Sequence, residues 1–99
     1  MLYAIMSEDV PDSRHLRAKA RPKHIDRLEM MRNQGRLILA GPHPAIDSAD
    51  PGEAGFTGSL VVAEFDSLED ATQWANQDPY LEAGVYQKVV VKPFKLVLP

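Results

Sequence analysis

Gly58-Ser59-Leu60-Val61-Val62-Ala63-Glu64-Phe65 is a stretch of β-formers, and Ser67-Leu68-Glu69-Asp70 opens a helix directly after it. Ser67 can cap that helix, and the acids at 69 and 70 sit where the helix end is positive. Leu68, Ala71, Trp74 and Ala75 form its apolar stripe. Asp78-Pro79 stops it, because the residue before a proline is pushed out of the α region. The strand itself is apolar on both faces, Leu60 and Val62 opposing Val61 and Ala63. An antiparallel sheet with one solvated face would alternate cleanly instead, so something is expected to cover both faces of this one.

Working outward, residues 1–6 read as a strand with Leu2, Ala4 and Met6 on one face and Tyr3 and Ile5 on the other. Pro11 marks a turn, after which Asp12 or Ser13 can cap a helix. Helical spacing runs to Gln34, and Pro22 is expected to break it into a short helix over 13–20 and a better one over 22–34. Ile25, Leu28, Met31 and His24 would form the buried stripe, and Gly35 would end the helix. Residues 36–41 are a short strand that stops at Pro42, leaving a long loop over 43–57 as a possible lid. Gln87 to Val91 is the last strand, and Pro93 demotes its continuation to an edge or bent segment. The order is βαββαβ in a single domain, 1–99, which implies an α+β, ferredoxin-like sandwich with both helices on one face of a four-stranded sheet. A second copy of the chain is the economical cover for the other face, so a homodimer through the sheet faces is expected, with higher oligomers open.

Composition fits a globular protein, with 44% hydrophobic and 25% charged residues. With no cysteine there is no disulfide framework and no thiol chemistry, which fits a reducing, cytoplasmic setting. No run approaches the ~18 apolar residues of a membrane span. The net charge is −3, yet eight of the eleven basic residues fall between Arg14 and Arg36, and residues 37–87 hold none. That cluster reads as a solvated basic helix, or as a surface that attracts a small anion or an acidic partner. Nucleic acid is not expected, for want of interleaved basic and aromatic residues.

His24 and Asp78 are the candidate catalytic pair. A histidine on a core-facing stripe and a carboxylate at a helix end can make an acid–base dyad, the acid orienting the imidazole. As the third residue of a helix beginning at Pro22, His24 would also feel the positive helix end. The alternative is a satisfied core histidine beside a helix-capping acid. Arg21, His43, Phe56 and Tyr80 are the candidate substrate contacts: Arg21 for charge, His43 at the mouth of the loop, and Tyr80 for a hydroxyl that can point into a pocket. No two histidines have the i, i+4 spacing of a helical metal site, and neither metal nor other cofactor is expected.

Arg21-x-x-His24, Gly35-Arg36-Leu37 into Ala40-Gly41-Pro42, Gly55-Phe56-Thr57-Gly58-Ser59, Trp74-x-x-x-Asp78-Pro79-Tyr80 and Ala83-Gly84-Val85 together resemble the YciI / YCII-related domain family, over essentially the whole chain. The resemblance implies a ferredoxin-like fold of the dimeric α+β barrel group, with two sheets packed face to face. It implies a site centred on a His and an Asp, here His24 and Asp78. The wider group includes muconolactone isomerases and a dehydrochlorinase of a chlorinated hydroxyquinol, so isomerase, lyase or dehalogenase-like chemistry on a small anionic or phenolic compound is the expected activity. A non-catalytic dimeric protein that binds a small ligand is the alternative.

Overall fold

Alternation along the first strand sets the architecture. Tyr3, Ile5, Ser7 and Asp9 are buried on one side, where the helices pack, while Met6 and Glu8 face out on the other. The computed structural model describes every residue from Met1 to Pro99. Its elements are β1 (Leu2–Asp9), α1 (Arg14–Asn33), β2 (Leu37–Pro44), β3 (Phe56–Glu64), α2 (Leu68–Asn76), α3 (Pro79–Glu82) and β4 (Tyr86–Phe94), with a short 3-10 turn at Gly52–Ala54. The four strands form one antiparallel sheet in the order β2-β3-β1-β4. This is the ferredoxin-like βαββαβ arrangement, with α3 as a one-turn addition before the last strand. None of the helices is long and apolar enough to cross a membrane.

Tyr3, Ile5, Val61, Ala63 and Phe65 supply the sheet's half of the core, and Met31, Ala71 and Ala75 the helices' half. Two alanines at i, i+4 let α2 lie close to the sheet. Ser67 caps α2 as expected, accepting the Asp70 N–H at 3.1 Å. Leu68 does not join the stripe: it is exposed at the first helical position, before the helix reaches the sheet.

Pro22 does not break α1, which runs unbroken for 20 residues. Pro22 and Ala18, whose carbonyl the proline leaves without its usual donor, are both exposed, so water can serve the orphaned group. Buried side chains on the opposite face, Arg17, His24 and Met31, hold the helix to the sheet and to α3 on either side of the proline. His24 therefore lies mid-helix, beyond the first-turn field expected of a helix starting at Pro22. Gly35 ends α1 in the left-handed conformation (φ 72°). The Arg36 N–H reaches the Met31 carbonyl and the Gly35 N–H the Arg32 carbonyl, a Schellman closure. Ser13 precedes α1 without capping it, because its hydroxyl is committed to Asp9.

The edge strands run further than their prolines suggest. β2 continues through Pro42 to Pro44, and β4 through Pro93 to Phe94. Both are edge strands, where a missing N–H need not interrupt the ladder. The connection after β2 is thereby shortened to residues 45–55. The face of the sheet away from the helices is open: Met6 is 36% exposed, Leu39 46% and Phe94 39%.

Candidate active site

The candidate pair sits where α1 meets α3. His24 projects from the middle of α1 and Asp78 caps α3, with Pro79 at the first helical position. Both residues are buried, at 7% and 6% exposure. His24 Nδ1 lies 2.9 Å from Asp78 Oδ1, and the same oxygen accepts the Tyr80 N–H at 2.9 Å. An amide N–H can only donate, so Oδ1 is an acceptor, and a carboxylate accepts only. Nδ1 therefore carries the ring proton in this arrangement. The carboxylate serves as helix cap and histidine partner at once.

Tyr80 fixes the imidazole as well, its ring stacked on that of His24 at 3.9 Å and 8°. Tyr86 meets Tyr80 edge-on at 5.6 Å. Beside Asp78, Arg27 lies over the Trp74 ring at 4.2 Å and donates to the Trp74 carbonyl at 2.7 Å, tying α1 to the end of α2. Burial pulls Arg27 below the ordinary arginine range, an effect the Asp78 charge partly offsets. Burial likewise pushes the Tyr80 phenol up, against the opposing charges of Arg17 and Arg21.

His24 Nε2 has no protein partner, and the ring lines a cavity of about 230 Å³ between α1, β2 and β3. Arg21 and Tyr80 line the same cavity. Phe56 sits in the adjoining one, which shares Arg17, Arg21, Pro42 and Tyr80. His43 lies apart, on the open sheet face beside Met6, Lys88 and Lys92. No residue of the 45–55 connection lines the His24 cavity; Ala40, Gly41 and Pro42 of β2 do.

A second buried cluster adjoins the first. Arg17 was grouped by sequence with the solvated basic residues of α1, but it is buried and paired with Asp9. Its Nε donates to Asp9 Oδ2 at 2.6 Å, and Nη2 reaches Asp9 Oδ1, the Gly58 carbonyl and Ser59 Oγ within 3.0 Å. Burial alone would lower the Arg17 pKa; the Asp9 carboxylate outweighs it and raises it. Ser59 also accepts the Tyr86 hydroxyl at 2.9 Å. Sequence reasoning passed over these residues, although two signals were present. Asp9 continues the inward phase of Tyr3, Ile5 and Ser7, and Arg17 lies seven residues before His24, two turns along the same face.

The YCII-related domain profile matches residues 1–95. The chain belongs to this family. Protein YciI of Escherichia coli and of Shigella flexneri are each 58% identical over 97 residues, covering 98% of this chain and 99% of theirs. An uncharacterized protein of Haemophilus influenzae is 52% identical over the same share of both chains. Among solved structures, 5-chloro-2-hydroxyhydroquinone dehydrochlorinase from Burkholderia phenoliruptrix, in complex with 2,5-dihydroxybenzoquinone, superposes with a TM-score of 0.83. That match covers 96% of this chain and 94% of the other, at 24% identity. At that identity it establishes a shared fold.

Proposed function

We propose that this member of the YCII-related domain family is a small acid–base enzyme acting on a small anionic or phenolic compound. The observation that carries the reading is the buried 2.9 Å bond from His24 Nδ1 to Asp78, with Nε2 left free at the wall of a cavity. Asp78 holds the ring in one tautomer and stabilises the imidazolium that forms when Nε2 takes a proton. A proton removed from a carbon next to a carbonyl leaves its bonding pair on the carbonyl oxygen, as an enolate. Return of that proton to another carbon is an isomerisation. Departure of a leaving group with the electron pair from the neighbouring carbon is an elimination, and the proton on Nε2 then passes to water. The dehydrochlorinase that shares this fold is named for chemistry of the second kind.

The test is a turnover screen of hydroxylated aromatic and dicarboxylic acids with wild type and His24→Ala, followed by mass spectrometry. Loss of turnover by about 10²–10⁴-fold in a variant that still melts cooperatively is the expected result. A folded His24→Ala protein as active as wild type would sink the reading. Ligand-dependent stabilisation with unchanged ligand would make the chain a binding protein instead. A second copy of the chain is the proposed cover for the open sheet face.

A further inference from the structure

Residues that share the His24 cavity hold hydrogen-bond donors that the protein leaves unused. Arg17 has five N–H groups. Nε and Nη2 are engaged by Asp9, the Gly58 carbonyl and Ser59, whereas Nη1 donates to no protein group at full hydrogen-bond distance, the Tyr80 phenol being the polar group that Arg17 also faces. Nη1 is not sealed in the interior either, since the Arg27 nitrogen alone is both buried and unpartnered. Ser59 is 95% buried, at 5% exposure, and receives two hydrogen bonds, from Arg17 Nη2 and the Tyr86 hydroxyl. Those two bonds fill its acceptor positions, so its own O–H is the group left to give. Arg17 and Ser59 both line the 230 Å³ cavity that His24 lines, with Arg21 beside them. No acidic side chain lines that cavity. A buried ion pair ordinarily exhausts its own polar groups; this one uses a single edge of the guanidinium.

We infer that the cavity is an oxyanion site, in which Arg17 Nη1 and the Ser59 hydroxyl together receive a carboxylate, enolate or phenolate oxygen of the ligand. Asp9 is the positioning residue. By gripping the Nε–Nη2 edge it fixes which edge of Arg17 faces the ligand, a task a flexible lysine could not perform. The cavity is smaller than the ~300–1,000 Å³ of drug-sized sites, which suits a single ring or a short chain. This deepens the acid–base reading and rests on it for taking the cavity as the site. An oxygen held here would gain its negative charge as His24 takes the proton, the place where fixed donors act most strongly.

The experiment is isothermal titration of wild type, Ser59→Ala and Ser59→Cys with benzoate and with benzamide, its uncharged analogue, alongside thermal melts. Arg17→Gln is not the decisive variant, since breaking the buried pair can unfold the chain. Wild type is expected to bind benzoate in preference to benzamide. Ser59→Ala should weaken benzoate about tenfold or more while melting cooperatively. Ser59→Cys, which keeps the shape and offers a poor donor, should behave alike. Equal binding of the two probes, no binding of benzoate, or unchanged benzoate affinity in both variants would overturn the inference. The readout needs no turnover, so the two proposals fail separately. An inert protein that still selects benzoate defeats the enzyme reading alone. His24-dependent turnover without selection for the charge defeats the oxyanion site alone.

Discussion

At the scale of single residues, Asp78 does two jobs with one oxygen, and substitutions can pull them apart. Asparagine is a good helix N-cap, so Asp78→Asn should keep α3 and lose less than about 1 kcal/mol of stability in urea unfolding. It cannot stabilise an imidazolium, however, and turnover should fall by about 10²–10⁴-fold. Asp78→Ala should lose the same activity and a further ~1–2 kcal/mol, because the Tyr80 N–H loses its acceptor. Tyr86 supplies a pH signature. Burial lifts its phenol well above the ordinary 10.0. An unfolded chain releases that proton near pH 10 while the folded chain keeps it. Stability is therefore intact below pH 10 and declines as pH rises above it. Tyr86→Phe should flatten that alkaline decline in circular-dichroism melts, with the smaller decline from Tyr80 remaining.

At the scale of elements, α1 is the part the sequence misjudged most. A proline in a helix interior ordinarily costs ~3 kcal/mol, and that propensity argued for two helices. Tertiary anchors won. Arg17 is pinned to β1 by Asp9, and His24 to the cap of α3, one on each side of Pro22. Pro22→Ala restores a helical hydrogen bond on an exposed face, and should raise stability by about 1–3 kcal/mol in chemical denaturation, offset in part by a freer unfolded chain. The strands, α2 and its Ser67 cap were legible because their signals are local: alternation, small apolar spacing, a cap residue before acids. The contact between His24 and Asp78 was legible as a candidate because each residue showed an inward or terminal position. The Asp9, Arg17 and Ser59 cluster was not, since a charged residue on a basic helix reads as solvated until a partner from another strand is seen. The extent of β2 was missed for a related reason: proline stops a central strand, but sequence alone does not say which strands lie at the edges.

At the scale of the whole molecule, the open sheet face sets the expected assembly. Among Glu8, His43, Lys88 and Lys92, it exposes the apolar side chains of Met6, Leu39 and Phe94. A second copy meeting it face to face would remove those side chains from water. Wild type should therefore sediment as a dimer or larger, and Met6→Glu, which puts a charge in the middle of that face, should shift it toward monomer. A monomeric wild type at micromolar concentration would refute that assembly. The rims of the sheet tell a different story. β2 carries Pro42 and Pro44 and two register shifts, and β4 carries Pro93. An edge broken in this way is a poor template for strand addition. Such a chain is expected to resist lengthening its sheet into fibrils even in crowded solution, and any contact between copies would fall to the broad surfaces rather than the borders.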